Sequence, residues 1–297
     1  RDFINTCGIQ EEIIELAKPD LKNGYPNFEE CSKKIQLIIE SNQTPDSTRN
    51  EIIEAYEGLS GTDLRMAVRS SANAEDLPEF SFAGQQETFL NISTPAAIIE
   101  SVHKCWASLW TPQAISYRHQ NGIDQSSVAM GVVVQVMIPS EVSGILFTAN
   151  PTNGERSEMI VNSSFGLGEA VVGGQVTPDT FIVDRTTLTS KETILGPKEH
   201  QIVYDGDQGI KIEKVSESNQ GISSLSDSML TELCNAALKV EALYEGTPQD
   251  IEWAFCSGKL HLLQSRPITN LPVQPIEVDW IPPSPAKYVA RRQIVEN

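Results

Sequence analysis

Apolar residues recur at helical spacing over residues 9–17, 28–39 and 51–59, with breaks at Pro19, Asn23-Gly24 and Pro45. The pattern predicts a helical cover before residue 60. From residue 64 the period changes. Residues 64–69 (LRMAVR) read as a strand, residues 70–78 as small, polar and irregular, and residues 80–90 as an extended stretch around Gly84. Thr94-Pro95 and Thr111-Pro112 each set a capping hydroxyl before a proline suited to a first helical turn. Two helices are predicted there, the first with Ile98, Val102 and Trp106 on its apolar stripe and the second ending near Asn121-Gly122.

Residues 128–138 form the most apolar strand, stopped by Pro139. Residues 144–149, 159–164 and 179–184 read as further strands, and residues 193–195, 201–204 and 210–215 as a short sheet with polar loops. Ser226 caps a helix with Leu230, Leu233, Leu238 and Leu243 on one face and Gly246 as its stop. After Pro267 the chain turns proline-rich, and residues 273–297 read as a linker.

Residues 250–267 (DIEWAFCSGKLHLLQSRP) place two alternating runs around Ser-Gly-Lys, a hairpin signature. With Gly258 at the centre of the loop, Glu252 lies opposite Gln264 and Asp250 opposite Arg266. Strand alternation puts all four on one face, and Ile251, Trp253, Phe255, Leu263 and Ser265 on the other. A carboxylate facing an amide oxygen suits a hard cation such as Mg²⁺, and a nearby guanidinium suits a phosphate. The plainer alternative is a solvated cross-strand polar pair.

Other stretches add candidate chemistry. Arg69, at a strand end before a serine-rich loop, is placed to meet an anion, or is a surface arginine. Gly84 allows close backbone approach, and Gln85, Gln86 and Thr88 supply neutral donors. Gln135 interrupts an apolar strand and needs a partner, which a purine or a neighbouring loop supplies; residues 135–137 present main-chain groups suited to an adenine edge. Glu141 stands where it accepts from a ribose hydroxyl, or is a solvated loop acid. Gly166 and Gly168 lack the third glycine of a dinucleotide fingerprint, and Glu169 is either a cation ligand or a helix-terminal acid. His103 and His119 read as packing histidines.

Composition narrows the partners. With 22 basic and 40 acidic side chains the net charge is −18, which argues against nonspecific nucleic-acid binding and against an anionic membrane surface. No apolar run approaches a membrane span and no signal-peptide pattern opens the chain. Five widely spaced cysteines without a Cys-x-x-Cys read as reduced thiols in a cytoplasmic protein. A first residue that is not Met, and a charged last stretch, suggest a piece of something longer.

Four motifs then occur in order: residues 68–76 (VRSSANAED), 82–88 (FAGQQET), 164–169 (SFGLGE), and 250–253 (DIEW) with 263–267 (LQSRP). On these, residues 60–272 resemble the ATP-grasp nucleotide-binding domain of the dikinases: phosphoenolpyruvate synthase, pyruvate phosphate dikinase and rifampin phosphotransferase. Residues 144–151 (GILFTANP) resemble the rifampin phosphotransferase type most.

The resemblance implies an α+β fold of two lobes, with mixed or antiparallel sheets, flanking helices and ATP in the cleft between them. Residues 1–60 would be the helical part of the first lobe, 61–138 its remainder, 139–272 the second lobe, and 273–297 a linker to a further domain. Arg69 and Arg266 would hold the phosphates as catalytic groups, and Gly84, Gln85, Gln86 and Thr88 would form the loop folding over them. Gln135 and Met137 would meet the adenine, and Glu252 and Gln264 would bind Mg²⁺. The implied reaction moves the β-phosphoryl of ATP, as pyrophosphoryl, to a His on a separate swivelling domain and then to an acceptor on another, giving AMP and phosphate. Two family features do not occur in this sequence: a glycine-rich lysine segment and a Gly-Gly-x-x-Ser/Cys-His motif. A nucleotide-binding module without turnover, and a plain α+β interaction domain, are the alternatives.

Overall fold

The computed structural model describes residues 1–18, 20–22, 25–59, 64–72, 88–207, 209–268 and 271–272. Helices α1 (Asp2–Thr6) and α2 (Gln10–Leu16) precede a small antiparallel hairpin of β1 (Asp20–Lys22) and β2 (Tyr25–Asn27). Helices α3 (Glu29–Ser41) and α4 (Asp46–Glu57) follow. The α1 segment and this small hairpin are additions to the helices that periodicity predicts.

Strand β3 (Met66–Ala72) is the centre of a three-stranded antiparallel sheet, flanked by β4 (Thr88–Ile92) and β5 (Met130–Val136). Residues 70–72, expected to be irregular, belong to β3 because their main chain pairs with residues 130–132. Cross-strand pairing overrides their weak local preference. Helices α5 (Pro95–Ser108) and α6 (Pro112–Gln120) connect β4 to β5. Their caps are as the Thr-Pro steps predict: Thr94 Oγ1 accepts from Ala97 N and Thr111 Oγ1 from Ala114 N, both at 3.3 Å. Met66 and Val68 on one face of the sheet meet Ile98, Val102 and Cys105 of α5 in a first core.

A second, six-stranded antiparallel sheet has the order β13-β12-β6-β7-β8-β9. Its strands are β6 (Val142–Phe147), β7 (Glu158–Phe165), β8 (Asp179–Asp184), β9 (Ser190–Ile194), β12 (Gln249–Cys256) and β13 (Lys259–Pro267), with α7 (Glu169–Val172) after β7. The short sheet expected over residues 193–215 does not form as one unit. Residues 190–194 join the large sheet as its edge, and β10 (His200–Tyr204) with β11 (Ile210–Lys214) form a separate hairpin.

Helix α8 (Glu217–Gln220) leads to α9 (Asp227–Leu243). Ser226 Oγ caps α9 by accepting from Met229 N at 3.3 Å. Leu230, Leu233 and Ala237 of α9 pack on Leu146, Val161, Ile251 and Trp253 of the sheet in a second core. Leu243, expected on that stripe, is exposed, because the buried positions 230, 233, 234, 237 and 241 form a row it does not share.

Gly144 marks the tightest point of the large sheet. A Cβ there would lie 1.9 Å from Asn162 O and 3.0 Å from the Trp253 ring, so only glycine lets β6 pass. All five cysteines are free thiols. Among the described residues no helix is long and apolar enough to cross a membrane. The proline-rich stretch 273–297 lies outside the described residues.

Candidate functional site

Alternation decides which side chains can meet between the sheets. In β3 and β5 the residues Met66, Val68, Val132, Val134 and Val136 turn into the first core. Ala67, Arg69 and Gln135 therefore face the other way, and with Met137 beyond the strand end they line a cleft of about 610 Å³. In β12 the residues Ile251, Trp253 and Phe255 fill the second core, all at most 1% exposed. Glu252 is thereby set on the cleft side, with Gln264 and Arg266 of β13.

The hairpin reaches its pairing by a route the sequence does not show. Its turn has two residues, Ser257 (φ 51°) and Gly258 (φ 72°), both left-handed, the combination that matches strand twist. Cys256 pairs with Lys259, and strict continuation would set Glu252 opposite Leu263. A bulge between Glu252 and Trp253 shifts the register by one, so Glu252 pairs with Gln264 and Asp250 with Arg266. Leu263, expected on the core face, is the extra residue and lines the cleft.

Opposite charges meet across this cleft. Arg69 Nη2 lies 3.0 Å from Glu252 Oε2, joining the two sheets, and each side chain keeps about a fifth of its surface exposed. Arg266 donates from Nε and Nη2 to Asp250 Oδ2, both at 2.9 Å. Glu169, first residue of α7, also lines the cleft; burial, and then the charge of Glu252, push its carboxyl above the usual range, with Arg69 opposing. Sequence alone left Glu169 undecided.

The other expected residues divide into three groups. Thr88 lines the cleft and is itself exposed. Gly84, Gln85 and Gln86 lie outside the described residues. Glu141 does not line the cleft: its carboxylate accepts from Ser257 N at 3.2 Å, and its main chain bonds Phe255 and Gly166. The Glu141 carboxylate, exposed and expected at a ribose, thus supports the hairpin turn through one of its oxygens.

Along β5, Met137 N donates to Arg65 O at 2.7 Å, so the main-chain groups of residues 135 and 137 point toward β3. Those of Val136 and Ile138 point to the strand's other edge, which carries no strand among the described residues. That open edge and the side chains of Gln135 and Met137 border the cleft. The Gln135 amide donates to Leu263 O at 3.2 Å. Leu90, Ile138, Leu167 and Val172 add an apolar wall that motif reading missed; its one early signal is the apolar end of the strand over residues 128–138.

Among the described residues no three His, Cys, Asp or Glu groups gather at metal-binding distance. Glu252 and Gln264, two hard oxygen donors on facing strands of the cleft, are the residues that could hold a metal. That fits Mg²⁺, which binds through one or two carboxylates with phosphates and water completing the octahedron.

The family model described as "Pyruvate phosphate dikinase, AMP/ATP-binding domain" matches residues 1–277. A probable phosphoenolpyruvate synthase of Methanocaldococcus jannaschii is 42% identical over 275 residues, covering 91% of this chain and 23% of that protein. The phosphoenolpyruvate synthase of Pyrococcus furiosus is 42% identical over 89% of this chain and 34% of its own length. The rifampicin phosphotransferase of Streptomyces sviceus is 42% identical over 88% of this chain and 30% of its own length. The chain thus spans between 23% and 40% of the length of the curated relatives it matches.

Proposed function

The chain belongs to the pyruvate phosphate dikinase AMP/ATP-binding domain family and has its α+β, ATP-grasp type of fold, and from that membership we propose a specific job for the cleft. ATP lies with its base against residues 135–138 and its triphosphate over the hairpin face. Arg69 and Arg266 hold the phosphates, and Glu252 and Gln264 hold Mg²⁺. The observation that carries this reading is the Arg69–Glu252 pair, a cation and an anion from different sheets meeting where triphosphate and metal would sit.

Binding is an exchange of partners. A triphosphate takes Arg69 from Glu252, and the carboxylate so released becomes available to the cation. The charges stay matched throughout, which keeps the cost of desolvating each of them low. Mg²⁺, when bound, neutralises charge developing on the phosphate oxygens.

The chemistry is transfer of the terminal pyrophosphoryl group. A histidine nitrogen attacks the β-phosphorus in line, forming an N–P bond. The bond from that phosphorus to the α-phosphate oxygen breaks, and AMP leaves with the electron pair. Arg69 and Arg266 stabilise the charge spread over the phosphates, with little covalent work from the protein. None of His103, His119, His200 or His261 lines the cleft. The accepting histidine therefore comes from a swivelling domain, and a third domain takes the phosphoryl on to its final acceptor after loss of phosphate. The expected place is the cytoplasm, where ATP is plentiful and free thiols persist.

The test is a calorimetric titration of ATP in Mg²⁺ against a Glu252→Ala, Gln264→Ala double variant. Loss of Mg²⁺-dependent affinity is expected, and unchanged affinity removes the assignment. AMP release on adding a phosphohistidine domain separates the enzyme from a module that only binds.

A further inference from the structure

Asn91 is fully buried yet holds a left-handed backbone (φ 59°) inside β4. Asn tolerates that region better than other residues with a Cβ, and a buried outlier of this kind invites a functional explanation. The cause is a bulge: Met66 pairs with Ile92 and Val68 with Phe89, so two residues of β4, Leu90 and Asn91, oppose Ala67 alone. Bulges re-aim side chains. Here the bulge turns the Asn91 amide out of its own sheet toward the far hairpin of β10 and β11.

Asn91 Nδ2 donates to Gly209 O at 2.7 Å and Gly206 O at 3.4 Å. Arg65 Nη1 donates to Asp207 O at 2.8 Å and to Asn91 Oδ1 at 3.4 Å, and its Nη2 lies 3.2 Å from Asp207 Oδ1. Ser93 Oγ donates to Asp207 O at 3.0 Å. The hairpin's other end is anchored beside α7, where Leu167 N donates to Ile202 O at 2.9 Å. Asn91 N donates to Met137 Sδ at 2.9 Å, and Met137 packs with Leu167, Ile202, Tyr204 and Ile210. One buried amide residue thus fastens the tip of a strap from one lobe, and the thioether at one end of the cleft, to the other lobe.

We propose that Asn91 is a positioning residue that sets the purine end of the cleft by clasping the β10–β11 strap across the lobes. The proposal rests on the nucleotide reading of the cleft. It acts through Met137 and Leu167, and leaves the phosphate end, held by Arg69 and Arg266, untouched. The clasp keeps the lobes aligned where the base sits, while the Arg69–Glu252 pair opens to admit phosphates.

The experiment measures the affinity of the whole chain for ATP and for inorganic tripolyphosphate, both in Mg²⁺, by calorimetry. Asn91→Gly keeps the left-handed backbone and removes the amide; it is expected to weaken ATP about tenfold and to leave tripolyphosphate unchanged. Asp207→Ala, at a side chain 94% exposed, removes the Arg65 pair at the strap tip and is expected to act in the same direction and less strongly. Hydrogen exchange should speed up in residues 200–214 of both variants, with the two large sheets unchanged. Equal losses for ATP and tripolyphosphate, or full ATP affinity in both variants, would overturn the proposal. If Asn91→Gly does not fold, the Asp207→Ala result decides alone. If the unsubstituted chain binds tripolyphosphate and not ATP, the purine end and this proposal both fail while the phosphate assignments stand; if it binds neither, the nucleotide reading itself is wrong.

Discussion

Two groups of opposite charges lie on either side of the large sheet, and they are built to opposite ends. Asp179 and Lys198 are both fully buried. The Asp179 carboxylate accepts from Lys198 Nζ, Gly196 N, Ser224 N and Ser224 Oγ, and Lys198 also donates to Gly196 O. That network is dry, with four hydrogen bonds on the carboxylate, and it ties β8 to the segments before β10 and before α9. The cleft pairs Arg69–Glu252 and Arg266–Asp250 are partly wet, and Arg69 and Glu252 come from different sheets. A fully buried pair is closed to a ligand and serves the fold. A partly exposed pair across a cleft contributes less to stability and can trade partners for a ligand.

The largest test of this contrast is Lys198→Met, which strands the Asp179 charge in the interior. A loss of about 3–5 kcal/mol in urea unfolding is expected, with nucleotide affinity of the folded protein unchanged. Glu252→Gln should do the reverse. Its unfolding free energy should stay within about 1 kcal/mol of the parent, while ATP affinity in Mg²⁺ falls about 100-fold, or roughly 2.7 kcal/mol. If both variants lose stability equally, the distinction between the networks disappears.

Arg266→Lys keeps the charge and loses the fork that meets Asp250 and, in the proposed function, would meet a phosphate as well. About a tenfold loss of ATP affinity is expected by calorimetry, again with little change in unfolding. The smallest effect belongs to Tyr204 in the strap, whose buried hydroxyl has no hydrogen-bond partner among the described residues. Tyr204→Phe should be neutral or up to about 1 kcal/mol more stable near pH 7. Burial pushes the Tyr204 phenol up to about 12. The unfolded chain then loses this proton first, near 10, so stability falls as pH rises from about 10 to about 12. Tyr204→Phe should flatten that part of the urea-midpoint profile relative to the parent.

Much of this was readable one element at a time. The Thr-Pro steps name the starts of α5 and α6, because a capping hydroxyl and a fixed φ act within one turn of chain. Alternation in residues 250–255 names which side chains are buried, because successive Cβ atoms in a strand must point to opposite faces. Arg69, Glu252, Gln264 and Arg266, singled out in the sequence, all line the same cleft.

Other features depend on contacts between distant segments. The bulge that sets Gln264 opposite Glu252 follows from how β12 and β13 pair, and a two-residue turn by itself predicts a different partner. Glu141 reads as a loop acid until the structure shows its carboxylate accepting from the Ser257 amide across 116 residues of chain. Asn91 has no motif that announces its role; its meaning comes from a strap more than a hundred residues away.

Local covalent geometry thus determined from the sequence alone the starts of α5, α6 and α9 and which side chains of residues 250–255 are buried. Only the tertiary structure decided which faces meet, because the hydrogen bonds and charge pairs across the cleft join segments up to 183 residues apart. Their energies depend on burial and on distance in space, and neither quantity is written in the order of the residues.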